Sequence, residues 1–415
     1  MRRLILCLMI TLVFPVFLFA RSFEAIDRHA LNTPKSAEVS IESLARYLTT
    51  PAQNDSDKIR AIFRWVTANI SYDTKAYFVG SPHSGESGNI LKDRTAVCDG
   101  FSSLMESLGE AAGLRIVKIS GHAKGYGYQI GDKMTGAPDH AWNAVWLHGR
   151  WQLLDATWGA GYMDEKGRFI RQFEPYYFLP SPLDLIDTHF PEEARWQLLE
   201  PAITKAQFEA LPFIKPAWYH HGFKMVNYNQ GTIVWNDSTI LAIDSPDHAF
   251  LIARLIQNNQ ELDRSFTFVQ QIQDQIHIYL DPPQSGKYVL RLYSKAPDNQ
   301  DSDQYQWALD YLVQYQSKGK QNTGFPEVYK TFFDHKGYLS QPFRKALKRG
   351  TSSTFDLIIP NAISVQVIQG EHWTPLLQSG NRFYQQIEIT GKEVLIGALF
   401  KEKGSYNILL KYEVK

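Results

Sequence analysis

The sequence has little cysteine, no net charge and no long apolar run after its first residues. Only two cysteines, Cys7 and Cys98, occur in 415 residues, so a framework of several disulfides is excluded. Lysine and arginine number 43, as do aspartate and glutamate, and this balance argues against a nucleic-acid partner. With 44% hydrophobic and 21% charged residues, the composition is that of a globular protein large enough for two or three domains.

Met1–Ala20 has the composition of a secretory signal: two arginines precede an apolar run that ends at Phe19. This run is shorter than the roughly 20 residues of a spanning helix, and Pro15 interrupts it, so no stable membrane span is expected. An uncleaved anchor is the alternative. We therefore expect export to the periplasm or the exterior. Cleavage would remove Cys7 and leave Cys98 as the only cysteine, which favours a free reactive thiol.

Residues 95–113 are predicted to present a cysteine at the start of a helix. Apolar residues recur with the helical period after the cysteine, at Phe101, Leu104, Met105, Leu108 and Ala112. Gly113 stands where a helix commonly ends. The partial positive charge of a helix start favours a thiolate and lowers a cysteine pKa from about 8.5 toward about 3.5–7.5. The alternative is that Cys98 is a small buried residue with no chemical role.

Two strand-like runs, residues 140–147 and 150–158, flank a turn at His148-Gly149. A two-residue loop pairs Leu147 with Arg150, which makes His140 the diagonal neighbour of Asp155 on one face of the sheet. A three-residue loop would shift the register by one and separate them. A histidine and a carboxylate that meet on a rigid ribbon, with a cysteine on a helix tip, fit the pattern of nucleophile, base and orienting acid.

Three motifs resemble the core motifs of the transglutaminase-like superfamily: Cys98–Phe101, Asp139–Val145 and Leu154–Trp158. Two further stretches resemble its kyphoscoliosis peptidase branch, including the bacterial exported members: Ser120–Tyr128 and Phe173–Leu179. The similarity covers residues 40–215 approximately. One departure is Thr95–Val97, where many members have a glycine shortly before the cysteine.

The resemblance implies that Cys98 is the nucleophile, His140 the general base and Asp155 the orienting acid. The implied reaction is attack on a peptide or isopeptide carbonyl through a thioester, with no cofactor and no metal. The backbone N–H of Cys98 is one candidate oxyanion donor, and Trp65 and Tyr72 are candidates for a second. The branch favours hydrolysis, with cross-linking to an amine or a catalytically silent surface scaffold as alternatives. A metal site of cysteine, histidine and aspartate would lack a fourth ligand at typical spacing. The expected substrate is a protein or peptide, for which a cell-wall peptide is one candidate.

After residue 222 the helical period gives way to short strand-like runs separated by Asn, Asp, Gly and Pro, which is typical of a β-sandwich. A faint repeat, Gly286–Leu292 against Gly404–Leu410, favours two such modules. The predicted fold is α+β: a papain-like, transglutaminase-like domain followed by tandem immunoglobulin-like β-sandwich modules. The predicted ranges are 1–20 (signal peptide), 21–220 (transglutaminase-like domain), 221–298 (sandwich), 299–322 (linker or strand) and 323–415 (second sandwich).

Overall fold

The computed structural model describes residues 23–80, 86–245, 249–295, 304–317 and 322–415. The chain forms two compact units, one with the residues up to Lys118 and Trp142–Phe173, the other with Ile119–Ala141 and Glu174–Lys415. The expected signal peptide, with Cys7, lies outside the described residues. Within these ranges, every helix is too short or too polar to cross a bilayer.

Most helices lie in the first unit, and four short ones lie in the second. The helices are α1 (Glu24–Leu31), α2 (Ile41–Leu48), α3 (Asp55–Asn69), α4 (Thr74–Val79), α5 (Ser87–Asp93), α6 (Cys98–Ala111), α7 (Ala156–Ala160), α8 (Pro182–Leu185), α9 (Lys205–Glu209), α10 (Pro216–His220) and α11 (Lys330–Asp334). Side chains cap several of them. The Asn54 side chain, for example, accepts the Asp57 N–H at 3.1 Å at the start of α3.

Helix α6 forms as its sequence predicts. Its apolar stripe is fully buried at Phe101 and Leu104. Gly113 follows the helix with a φ of 75°, a conformation that favours glycine. The Leu114 N–H donates to Gly109 O at 2.9 Å and closes the helix end. The predicted helix and its glycine stop are therefore confirmed.

The strands of the N-terminal region are β1 (Ser71–Tyr72), β2 (Thr95–Ala96), β3 (Ile116–Ala123), β4 (His140–Leu147), β5 (Arg150–Leu154), β6 (Gly161–Met163), β7 (Phe169–Arg171) and β8 (His189–Pro191). One sheet has the order β5-β4-β3-β8. In the β4–β5 hairpin Leu147 pairs with Arg150, and Asn143 with Leu154. His148 and Gly149 form the two-residue loop with φ values of 51° and 79°, both positive as in a type I′ turn. The predicted register is confirmed.

The remaining strands form two pairs of sheets. The first pair contains β9 (Phe213–Ile214), β10 (Lys224–Met225), β11 (Thr232–Trp235), β12 (Leu241–Asp244), β13 (Phe250–Gln257), β14 (Gln260–Glu261), β15 (Thr267–Ile272), β16 (Gln275–Leu280), β17 (Gly286–Lys295) and β18 (Gln306–Tyr315). Its sheets have the orders β10-β12-β16-β15 and β11-β18-β17-β13-β14. Residues 306–315, inside the range predicted as linker or strand, therefore form the interior strand β18.

The second pair contains β19 (Glu327–Val328), β20 (Tyr338–Gln341), β21 (Ala346–Leu347), β22 (Ser352–Ile358), β23 (Ser364–Gln369), β24 (His372–Pro375), β25 (Leu377–Ser379), β26 (Arg382–Glu388), β27 (Glu393–Leu399) and β28 (Asn407–Val414). Its sheets have the orders β19-β28-β27-β23-β24 and β20-β22-β26-β25.

The sandwich cores follow the two-residue period of strands, as Tyr288, Leu290 and Leu292 in β17 show by being buried at every second position. The predicted α+β fold with C-terminal immunoglobulin-like sandwiches is confirmed.

Candidate active site

Cys98 lies at the first residue of α6, is half-buried and forms no disulfide among the described residues. Val97 precedes it in extended conformation, and the first bond of the helix runs from the Phe101 N–H to Val97 O at 3.1 Å. The N–H groups of the first turn point along the helix axis at the thiol end, where the positive end of the helix dipole favours a negative charge.

A glycine two residues later lets the side chains of Ala96 and Ile90 pack closely against the first turn of α6. A Cβ atom on Gly100 would lie 2.8 Å from the Cβ of Ala96 and 2.9 Å from Cδ1 of Ile90. Residues 95–96, which stand near the glycine position of many relatives, instead form β2. This strand pairs in parallel with β1, with Tyr72 opposite Ala96.

Tyr72 is the aromatic residue that meets the thiol, because its hydroxyl is hydrogen-bonded to Cys98. Burial raises the pKa of this phenol far above its usual range, and Cys98, Tyr77 and Asp155 raise it further when they are ionised. Its ring lies 6.5 Å from that of Phe101.

Trp65, the other candidate donor, is fully buried in α3 beneath the Arg94 guanidinium, which lies 4.7 Å from its ring. Its indole N–H has no acceptor among the residues that the structure describes.

Asp155 is fully buried and is the N-cap of α7, a role that the sequence analysis did not predict. Its Oδ1 accepts the N–H of Thr157 at 2.7 Å and that of Trp158 at 3.1 Å. The strand predicted over residues 150–158 is wrong beyond Leu154, where β5 ends, because Asp155 caps a helix there. The two N–H bonds fix the carboxylate and stabilise its charge.

His140 is the first residue of β4 and is buried. One of its ring nitrogens, one ring nitrogen of His189 and one carboxylate oxygen of Asp155 all lie within 4.8 Å of one another. We call these three residues the His–Asp–His cluster. The histidine and the carboxylate that the hairpin register predicts to meet are thus within reach of each other.

His189 is not among the site residues that the sequence predicts. In the structure His189 begins β8, its ring lies 5.3 Å from that of His140, and its Nδ1 lies 2.9 Å from the Thr188 hydroxyl. Two imidazoles and a carboxylate at this spacing are also ligands that a transition metal such as zinc accepts, so the cluster is the place where a metal would bind.

Asn143 connects the strand of His140 with the helix of Cys98. It is fully buried three residues after His140, and its Nδ2 donates to Ser102 O at 3.0 Å and to Val117 O at 3.3 Å. Ser102 in turn donates from its hydroxyl to Cys98 O at 2.9 Å. This chain of bonds fixes the first turn of α6 against β4.

A second buried titratable group lies in the second unit. Lys124 is fully buried and donates from Nζ to Leu211 O at 3.1 Å. Burial lowers its pKa to about 8, although Asp187 and Glu209 oppose the shift. Burial raises the pKa of Asp187 to about 7, against the hydrogen bond that it accepts from the Tyr219 hydroxyl.

Two parts of the chain match models of known protein families. Residues 42–156, which include the cysteine, histidine and aspartate, match the family model of the transglutaminase-like superfamily. Residues 205–347 match that of the KY-like, immunoglobulin-like domain. The chain therefore contains a transglutaminase-like core and an immunoglobulin-like domain of the KY type.

Several curated proteins are similar over most of the chain. Kyphoscoliosis peptidase of Mus musculus is 30% identical over 71% of this chain and 43% of its own length. Hillarin of Drosophila melanogaster is 25% identical over 68% of this chain and 38% of its own. The chain thus spans less than half the length of these curated relatives. A crystal structure of a TGase is 18% identical over 40% of this chain and 38% of that one, with a TM-score of 0.22.

Proposed function

We propose that this chain, with its transglutaminase-like core and KY-like immunoglobulin-like domain, is a cysteine enzyme that acts on peptide or isopeptide bonds. Cys98 is the nucleophile, His140 the general base and Asp155 the acid that orients it. The observation that supports this proposal most is where the structure places these three side chains. A cysteine thiol starts a helix, while a ring nitrogen of His140 and an oxygen of Asp155 lie within 4.8 Å of each other.

His140 accepts the proton of the Cys98 thiol, and the resulting thiolate attacks the amide carbonyl carbon. As the S–C bond forms, the C=O π pair moves to oxygen, where the N–H groups at the start of α6 are candidate donors. The pair then returns, the C–N bond breaks, and His140 gives its proton to the departing amine. Asp155, fixed by its two N–H bonds, holds the imidazole in the required tautomer and stabilises its charged form.

The thioester is consumed by water or by an amine. With water, His140 removes a proton, the new C–O bond replaces the C–S bond, and a carboxylic acid leaves while the thiol is restored. Similarity to kyphoscoliosis peptidase favours hydrolysis. An amine acceptor would instead give a cross-link. If the site is catalytically silent, the protein would act as a surface scaffold. The substrate we propose is a protein or a peptide, with a cell-wall peptide as one candidate.

The first test needs no substrate. In a Cys7→Ser background Cys98 is the only thiol, so intact mass reports its alkylation by iodoacetamide directly. We expect fast labelling well below pH 8 that is lost in His140→Ala and retained in His372→Ala, a control at an exposed histidine of β24. Slow labelling that rises only near the free-thiol range, about pH 8.5, in all three proteins would refute an activated thiolate and favour the scaffold.

A second assay separates hydrolysis from transfer. Labelled casein is incubated with the enzyme in the presence of dansylcadaverine. Release of small peptides without dansyl incorporation indicates hydrolysis, whereas incorporation indicates transfer. Activity of either kind should be absent in Cys98→Ala.

We also propose that the protein is exported through Met1–Ala20. The intact mass of the protein recovered outside the cytoplasm should then correspond to a chain without residues 1–20 approximately, as expected for a cleaved signal. Recovery of the uncleaved chain in the membrane fraction would instead indicate an anchor.

A further inference from the structure

The hydroxyl of Tyr72, one of the two candidates for a second oxyanion donor, lies at the candidate nucleophile. Tyr72 ends β1, and its pairing with Ala96 is extended by a bond of 2.9 Å from the Asp73 N–H to Ala96 O. Ala96 stands two residues before Cys98, so this pairing brings the Tyr72 side chain beside the thiol. Its hydroxyl is hydrogen-bonded to Cys98.

The direction of this hydrogen bond follows from the environment of the phenol. Burial disfavours a tyrosinate and holds the pKa of Tyr72 far above its usual range, and the carboxylate of Asp155 acts in the same direction. Tyr72 therefore keeps its proton, the hydroxyl donates, and the sulfur accepts. A neutral donor at sulfur stabilises the thiolate more than the thiol, because hydrogen bonds to charged groups are the stronger ones.

We propose that Tyr72 is a catalytic hydrogen-bond donor, which stabilises the Cys98 thiolate at rest and donates to the carbonyl oxygen during attack. This inference rests on the proposed function. As the S–C bond forms, the negative charge leaves sulfur and the C=O π pair places it on oxygen. A phenol beside the sulfur can follow this charge by rotating its O–H, and it neither gains nor loses a proton.

Trp65, the other candidate, lacks this geometry, because its indole is covered by Arg94 inside the helical layer. The Tyr72 ring is held independently of its hydroxyl, by rings of Phe101 at 6.5 Å and Tyr77 at 6.0 Å. Tyr72→Phe should therefore keep the packing and remove only the donor.

The test compares Tyr72→Phe with wild type in the Cys7→Ser background by iodoacetamide labelling against pH. We expect the labelling midpoint to rise by about one pH unit, because a hydrogen bond to a charged acceptor is lost. The limiting rate at high pH should rise as well, since the freed thiolate is a better nucleophile. Casein turnover should fall on the order of 100-fold, as when an oxyanion donor is removed. Tyr162→Phe, at a tyrosine that is 54% exposed in β6, should change none of these.

Fluorinated tyrosine at position 72 should shift the labelling midpoint in the direction opposite to Tyr72→Phe. A more acidic phenol is a stronger donor, so the midpoint should fall. An unchanged midpoint in both variants, with folding verified by circular dichroism, would overturn the inference.

The same measurements separate this failure from that of the proposed function. If the proposed function is wrong, iodoacetamide should label Cys98 of the wild type slowly below pH 8, and His140→Ala should not change that rate. The Tyr72 inference is decided by the difference between Tyr72→Phe and its parent protein, which is measurable in either case.

Discussion

Asp155 combines two roles that substitution can separate, because the same carboxylate caps α7 and is close to the proposed catalytic histidine. Its Oδ1 accepts two buried N–H groups, from Thr157 and Trp158. Asparagine also offers a side-chain oxygen and is as good an N-cap as aspartate, whereas alanine offers none. Asp155→Asn should therefore keep the helix start, and Asp155→Ala should lose it.

The expected magnitudes differ strongly between stability and catalysis. Asp155→Asn should change the free energy of unfolding by less than about 1 kcal/mol, and Asp155→Ala should lower it by about 2 kcal/mol. For a base-orienting acid, Asp155→Asn should lower turnover by roughly 1,000- to 10,000-fold, because an amide that donates its N–H favours the wrong imidazole tautomer.

Urea denaturation measures the stability effect, and casein turnover measures the catalytic one. Asp73→Asn is the matched control, because Asp73 caps α4 in the same way, accepting the Ala76 N–H at 2.9 Å, and has no proposed catalytic role. Near wild-type turnover in Asp155→Asn, together with the stability loss in Asp155→Ala, would reduce Asp155 to a helix cap and refute the triad.

Three further predictions address the thiol loop, the His–Asp–His cluster and the buried pair in the second unit. Gly100→Ala should cost about 1–3 kcal/mol of stability and slow thiol labelling, because its Cβ would lie 2.8 Å from that of Ala96. Gly88→Ala, with nothing within 4 Å, should lose no stability in the same urea denaturation. Dialysis against EDTA should leave thiol labelling unchanged, whereas a loss that zinc restores would indicate that the His–Asp–His cluster holds a metal. Between about pH 8 and 10.5 Lys124 is protonated in the unfolded chain but not in the native one, so the free energy of unfolding should rise with pH across this range. Lys124→Met should abolish the corresponding rise in the urea midpoint. Asp187, with its raised pKa, binds more protons in the native state between about pH 4 and 7, so stability should fall across that range, and Asp187→Asn should abolish the fall.

The sequence predicts the features whose cause is local. The β4–β5 register depends on the two turn residues, of which Gly149 adopts a positive φ without strain. The end of α6 depends on Gly113 for the same reason. The sandwiches are predictable because alternate burial along a strand leaves a two-residue pattern in the sequence.

The features that the sequence does not predict depend on distant or very short elements. Helix α7 has only five residues, too few for a hydrophobic period, so the cap at Asp155 leaves no pattern beyond the aspartate itself. His189 reaches the site through β8, which pairs with β3 from far along the chain. Tyr72 is named from the sequence only as one of two candidate donors, because the strand of two residues that brings it to Cys98 is too short to predict. Each of these placements is fixed by tertiary pairing, and no local spacing encodes it.

The two groups that the proposed chemistry needs as anions both lie at helix starts. Cys98 is the first residue of α6, and Asp155 is the N-cap of α7. Peptide N–H groups and the helix dipole stabilise negative charge at both positions, and this stabilisation does not depend on pH because peptide groups do not titrate. His140, the proposed base, is instead the first residue of strand β4. The backbone thus supports negative charge at the proposed nucleophile and at the proposed orienting acid, the two places where the proposed reaction needs it.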